Sequence, residues 1–224
     1  MGGIGSGKSA AATFLEARGA FLIDADKVGH ALLNQSPARD LVIERFGPAI
    51  VVPERPEGEP PVISRDALAS IVFANPAARR DLEAILHPRM RTTFEKAIAR
   101  TIRKGIAEAV VLDAAILFEA GWDSLCDRII FVDAPWEQRL KRVAETRGWT
   151  EEVLKTREAA QKSLDFKRNR SEFTVSNHAS VEHLKRGVDT TWKLVKGSVP
   201  SRASRASNQD SSASSETGSE DNPG

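Results

Sequence analysis

The sequence predicts an α/β fold of three layers, with a parallel sheet between helices. Three observations lead to it. Helical and strand patterns alternate along the chain. The runs AVVLDAAIL (109–117) and RIIFVDA (128–134) are largely apolar, as parallel strands covered on both faces are. The chain also opens on a glycine-rich turn that leads straight into a helical pattern.

Taken in order, residues 7–18 (GKSAAATFLEAR) read as a helix stopped by Gly19, and 20–26 (AFLIDAD) as a short buried strand. Short helices follow near 27–34 and 37–46. The stretch 47–63 is rich in Pro, Gly and Glu and reads as a loop or loose hairpin. Ser64 is placed to cap a helix near 65–74. Helical patterns at about 76–86 and 88–104 are divided by Pro88, which suits the first turn of the second helix. The two apolar strands come next, and two more helices lie between 135 and 162. Trp136, Leu140 and Val143 share one face of the first of these. FTVSN (173–177) reads as a last strand. Residues 180–195 read as a closing helix, with Val181, Leu184, Val188, Trp192 and Val195 at helical spacing. From Gly197 to Gly224 Ser dominates and apolar residues almost vanish. Such a segment cannot bury enough surface to offset its ordering entropy, so a disordered, solvated Ser-rich and acidic tail is expected.

With 224 residues and 41% hydrophobic content, the chain can bury the core of one substantial domain with insertions. A net charge of only +1 argues against a dedicated nucleic-acid or membrane-surface protein. A single cysteine, Cys126, allows no intrachain disulfide and fits a reducing cytoplasm. No apolar run approaches the ~20 residues a membrane helix needs, and no signal-peptide pattern precedes the glycine-rich turn.

Gly2-Gly3-Ile4-Gly5-Ser6-Gly7-Lys8-Ser9 fits the pattern G-x-x-x-x-G-K-[ST]. Backbone N–H groups from Gly3, Gly5, Ser6, Gly7, Lys8, Ser9 and Ala10 can turn toward phosphate oxygens at a helix N-terminus, and side chains would obstruct that approach. Lys8 reaches the β and γ phosphates, and the Ser9 hydroxyl is placed to ligate Mg²⁺. The pattern therefore implies a nucleoside triphosphate with its magnesium. Asp24 and Asp26 follow at the end of the next strand, at the sheet edge where α/β folds bind ligands. Either the i, i+2 pair faces the ligand, with Asp26 accepting a hydroxyl proton, or Asp26 caps the helix that follows. Asp113 ends the run Val110-Val111-Leu112 and is a second candidate for Mg²⁺, or an ordinary strand-end cap. Glu119 is a weaker site candidate and can also be read as a helix-start residue. Residues 155–170 hold six basic and two acidic side chains, leaving +4, with Arg139, Lys141, Arg142 and Arg147 just upstream. They read as a mobile lid over phosphates, or as a solvated basic face. An RNA surface is disfavoured because a single aromatic residue, Phe166, lies among the charges of 155–170, too little interleaving to stack bases.

In these segments the chain resembles the dephospho-coenzyme A kinase family. The resemblance runs from Gly2 to about Val195. It is carried by GGIGSGKS, IDAD (23–26), ISRDALASIVFANPAARRDLEAILHPRM (63–90), VLDAAILFEAGW (111–122), RLKRVAETRG (139–148), REAAQ (157–161) and KRNRSEFTVSN (167–177). It implies a P-loop kinase-like sheet formed by residues 1–26 and 105–196, with a lid at about 139–170. A helical substrate-binding insertion would occupy 27–104, and the tail 197–224. It implies transfer from ATP, with Mg²⁺, to the ribose 3′-hydroxyl of dephospho-coenzyme A, with Asp26 as base. Lys8 and Arg142 would be catalytic. Arg142 and Asn177 would hold nucleotide, and Asp26, His87, Arg89 and Glu119 would lie on the acceptor side. His87 before a proline is read equally well as structural. Ala10, Ala115 and Ser176 depart from the family pattern without removing an indispensable group.

Two rival readings share part of this pattern. Another P-loop nucleoside or nucleotide kinase would share Lys8, Ser9 and the lid. A nucleotide switch would need an Asn-Lys-x-Asp element, which the sequence lacks, and an Asp-x-x-Gly switch, whereas Asp113 is followed by Ala114, Ala115 and Ile116. The resemblance also places a first strand before the phosphate loop, where this sequence has only Met1. The expectation is a first strand missing from the chain as given: roughly five to ten further residues, β-branched and apolar, between the strands at 109–117 and 128–134.

Overall fold

The computed structural model describes residues 1–53, 56 and 58–198. The phosphate loop leads into α1 (Lys8–Glu16), which Gly19 closes by donating its N–H to the Glu16 carbonyl at 2.9 Å. β1 (Ala20–Asp24) ends two residues before the expected strand does, because the Asp24 carboxylate accepts the Lys27 N–H and caps α2 (Ala25–Leu33). Asp26 is thus a first-turn helix residue, and the reading of both aspartates along one strand face is corrected. α3 (Ala38–Phe46) and α4 (Arg65–Ala74) follow, the latter capped by Ser64 as expected. The intervening loop closes as a loose hairpin through one antiparallel bridge, Val51 to Ile63.

The two expected helices around Pro88 are a single helix, α5 (Pro76–Lys104). A mid-helix proline removes one backbone bond and costs ~3 kcal/mol. Leu86, Met90 and Phe94 are all buried along one face of α5 and hold the two halves in line against the core. Asn75 caps this helix by accepting two backbone N–H groups.

β2 (Ala109–Asp113) and β3 (Ile130–Asp133) are shorter than the apolar runs that encode them. α6 (Trp136–Arg147), α7 (Glu151–Ala159), α8 (Leu164–Asn169), β4 (Phe173–Ser176) and α9 (Val181–Ser198) complete the described chain. Along α9 Leu184, Val188 and Trp192 are buried, whereas Val181 is 64% exposed at the first turn, against expectation. Gly197 and Ser198, expected in the Ser-rich tail, instead end α9, and the rest of that tail, from 199 onward, lies outside the described residues.

The strands form two parallel pairs, β1 with β2 and β3 with β4. Asp24 is level with Asp113, and Asp133 with Ser176. α1 and α9 cover one face of the sheet through Leu15, Leu184, Val188 and Trp192. Val42 of α3, Phe94 of α5 and Ile50, together with Trp122 from the segment after β2, form the cluster on the other face. A smaller cluster of Ile4, Val143 and Leu154 ties the loop to α6 and α7. β2 and β3 do not pair with each other. A cavity of about 490 Å³ lies between them.

Candidate active site

The site assembles where the phosphate loop meets the carboxyl ends of β1 and β2. Gly7, at φ 92°, is the N-terminal boundary of α1 and supplies no side-chain cap. A Cβ there would collide with the Asn177 amide, so the left-handed turn and the close packing both require glycine. The N–H groups of Lys8, Ser9 and Ala10 stand in the first turn, where a helix offers no acceptor, and the helix dipole favours an anion there. Ser6 is fully buried, and its hydroxyl has no protein partner.

Lys8 donates to the Gly2 carbonyl at 3.1 Å and the Gly3 carbonyl at 2.8 Å. Burial pushes its ammonium down to about 8, with Asp113 acting the other way. The Ser9 hydroxyl donates to Asp113 Oδ2 at 2.7 Å. These two oxygens come together across 104 residues of sequence. Mg²⁺ prefers this donor set of hard oxygens, completed by water and phosphate, and it is usually held by only one or two carboxylates. Among the described residues no group of three or more His, Cys, Asp or Glu side chains is placed to hold a metal.

Asp24 is occupied by its helix cap and by Lys27 Nζ at 3.4 Å. Asp26 is exposed at the start of α2, two residues past the strand end that is level with Asp113. Arg142 reaches the loop from α6 and donates to the carbonyls of Gly5 at 3.3 Å and Asn177 at 3.3 Å. The buried Asn177 amide donates to the Ser6 carbonyl at 2.8 Å. Both residues therefore brace the loop backbone in this state.

Spacing did not single out a second brace. Arg139, 4% exposed, pairs with Glu158 of α7. Glu158 accepts the Ile4 N–H at 3.0 Å, while Arg139 donates to the Ile4 carbonyl at 3.3 Å. A Cβ on Gly3 would come within 2.7 Å of the Arg139 guanidinium. Glu158, one of two carboxylates inside the basic stretch 155–170, was the available signal.

The family model for dephospho-CoA kinase matches residues 1–183. A dephospho-CoA kinase of Symbiobacterium thermophilum is 36% identical over 229 residues, covering 100% of this chain and 92% of its own. One from Geobacter metallireducens is 38% identical, covering 86% and 92%. A crystal structure of a Thermus thermophilus protein superposes with a TM-score of 0.69 at 31% identity, covering 86% of this chain and 94% of its own. The chain belongs to the dephospho-CoA kinase family. The fold agrees with that of the Campylobacter jejuni dephospho-CoA kinase, at a TM-score of 0.61 and 23% identity, covering 88% and 94%.

Within this member of the dephospho-CoA kinase family, three of the residues expected on the acceptor side are held by contacts of their own. His87 packs edge-on against Trp122, with ring centroids 5.1 Å apart, and burial lowers its pKa. Arg89 folds back onto the Ile85 carbonyl at 2.6 Å. Glu119 accepts the Lys162 N–H at 2.8 Å and pairs with Lys167 Nζ at 2.9 Å.

The basic segment is not a uniformly exposed cationic surface. Lys167 is fully buried, and Arg168 pairs with Asp133 at 2.6 Å. Arg157 lies over Trp149 at 4.1 Å and over Phe73 of α4 at 4.4 Å, so it links α7 to the insertion. Among the described residues no helix is long and apolar enough to cross a membrane.

Proposed function

We propose that the protein transfers the γ-phosphoryl group of ATP to the ribose 3′-hydroxyl of dephospho-coenzyme A, the last step of coenzyme A synthesis. Membership of the family supports this reading. The observation that carries it is the meeting of Ser9 and Asp113 beside Lys8 at the mouth of the phosphate loop. The acceptor oxygen forms a bond to the γ-phosphorus as the bond to the β–γ bridging oxygen breaks, and ADP leaves. Lys8 stabilises charge on the transferred group, a role that can be worth several kcal/mol when the donor is preorganised. Asp26, placed past the end of β1, orients the hydroxyl and takes its proton. Ser9 and Asp113 would hold Mg²⁺, which offsets phosphate charge. Arg142 turns from the loop carbonyls toward the nucleotide, and Asn177 keeps the loop in shape. His87, Arg89 and Glu119 belong to the acceptor side, and His87 also has the structural role its contact with Trp122 suggests. The small-molecule acceptor and the reducing cytoplasm inferred from the single cysteine complete this reading.

The test is ADP formation that depends on dephospho-coenzyme A, followed with a coupled assay against a panel of nucleosides and nucleoside monophosphates. Equal or faster use of a nucleoside monophosphate would replace the acceptor assignment. The comparisons do not favour that rival.

A further inference from the structure

Among the described residues Arg142 is held by neutral groups. It donates to the carbonyls of Gly5 at 3.3 Å, Ser6 at 3.5 Å and Asn177 at 3.3 Å, and to the side-chain oxygen of Gln138 at 3.1 Å. The three carbonyl bonds are longer than an N–H···O bond normally is, whereas the Gln138 bond falls inside the usual range. The guanidinium charge is therefore not offset, in contrast to Arg139 on the same helix, which pairs with Glu158. Arg142 Nη1 also stands at the end of the phosphate loop. A Cβ built on Gly7 would lie 4.0 Å from it.

Gln138 lies one turn before Arg142 on α6, at the i, i+4 spacing that brings two side chains of a helix together. Its carboxamide is used at both ends. Oε1 accepts from Arg142 Nη2, and Nε2 donates to the His178 carbonyl. A guanidinium only donates and a carbonyl only accepts, so both partners fix the same orientation of the amide. The His178 carbonyl is itself well anchored. The Asn177 N–H donates to the Asp133 carbonyl at 2.7 Å, and the His178 ring lies 3.0 Å from the Asp133 carboxylate. Backbone and side chain of the turn after β4 are thus both tied to the end of β3.

We propose that Gln138 is a positioning residue for phosphoryl transfer: it holds Arg142 Nη2 as a pivot while Nη1 leaves the loop carbonyls for the phosphates of ATP. The role rests on the reading of Arg142 as a nucleotide contact. The long carbonyl bonds are the ones exchanged, and the shorter bond to Gln138 is kept. A neutral amide orients the guanidinium without neutralising the charge that the phosphates need. Glutamate at this position would reach Arg142 too, but it would offset that charge and set an acceptor against the His178 carbonyl. Methionine would fill the same space and hold neither partner.

The test is calorimetric titration of the full chain with ATP in magnesium buffer, with melting midpoints measured alongside. Gln138→Met should weaken ATP binding by about fivefold or more, as the loss of one net hydrogen bond does, with the midpoint within ~2 °C of the parent. In an Arg142→Ala background the same substitution should change ATP affinity by less than about twofold, because a residue that acts through Arg142 has nothing left to position. Gln138→Glu should weaken ATP binding by about tenfold or more while the midpoint holds or rises, since an i, i+4 ion pair supports the helix. If Gln138→Met does not fold, Gln138→Asn takes its place in the cycle, because its shorter amide cannot reach both partners. Equal losses in the two backgrounds, unchanged affinity in Gln138→Met, or a Gln138→Glu variant that binds ATP like the parent would overturn the proposal. A midpoint that falls in step with affinity would overturn it too, by making Gln138 structural. The titration contains no acceptor, so a wrong acceptor assignment would leave its outcome untouched. A parent chain that binds no ATP would remove the nucleotide reading and this role together.

Discussion

Glu119→Gln tests whether the Glu119–Lys167 pair is structural. Lys167 is fully buried and Glu119 is 18% exposed, with 2.9 Å between them. Lys167 also donates to Gln161 Oε1 at 2.7 Å and to the Ala115 carbonyl at 3.3 Å. It thereby ties α8 to the loop after β2. Glutamine keeps an acceptor for the Lys162 N–H but leaves the ammonium buried without its counter-charge. Breaking a buried pair costs about 3–5 kcal/mol, and the partial exposure of Glu119 brings this nearer 2–4. For a domain of this size each kcal/mol moves the melting midpoint by ~2–4 °C, so a fall of roughly 5–15 °C is expected. The double variant Glu119→Gln/Lys167→Met should recover at least half of that loss, because it removes the stranded charge along with its partner. Circular dichroism melts of the parent, both single variants and the double variant form the cycle. A single variant melting within about 1 °C of the parent would refute the structural reasoning. An unchanged melt with a raised KM for dephospho-coenzyme A would assign Glu119 to the acceptor instead.

Lys8→Ala should lower turnover by at least ~10²–10³-fold while the fold persists; near-normal turnover would remove the phosphate-loop assignment. Asp26→Asn should reduce kcat far more than it changes KM for ATP. Asp24→Ala should instead cost about 1 kcal/mol of helix cap, seen as a midpoint ~2–4 °C lower with kcat retained, and an exchange of these phenotypes would refute the division of roles. Glu158→Gln should loosen the loop at Ile4; losing a charge-assisted hydrogen bond of ~1.5–3 kcal/mol corresponds to about tenfold or more in KM for ATP, whereas a lower melt with KM unchanged would show the pair to be purely structural. Burial, and then Lys8 and Lys167, lower the Met1 amine from 8.0 to about 5, against Asp113 and Cys126, which raise it. The folded chain then binds fewer protons than the unfolded one between those values, so stability should fall as pH drops from 8 toward 5. Nα-acetylation should flatten that slope in melts across pH, and an identical slope would rule out the amine as its source.

The phosphate loop, the strand that ends at Asp113 and the order of helices and strands were legible in the sequence by itself. Each is written in contiguous residues: a glycine pattern, an apolar run, a 3.6-residue spacing, a cap such as Ser64. The segments carrying the family resemblance are equally local. Tertiary structure alone decided which aspartate caps α2, since strand end and helix start compete at Asp24 and the Lys27 N–H donated to the Asp24 carboxylate settles it. It decided that Pro88 lies inside one helix, because the face buried through Leu86, Met90 and Phe94 outweighs one missing bond. It also decided which charges are buried. Lys167 and Arg139 look like any other cations in a basic stretch until Glu119 and Glu158 come to face them, 48 and 19 residues away in sequence. Such pairings depend on distances between elements, which local periodicity does not encode. The cavity between β2 and β3 belongs to the same class, because its walls are two strand edges that only the assembled layers bring opposite each other.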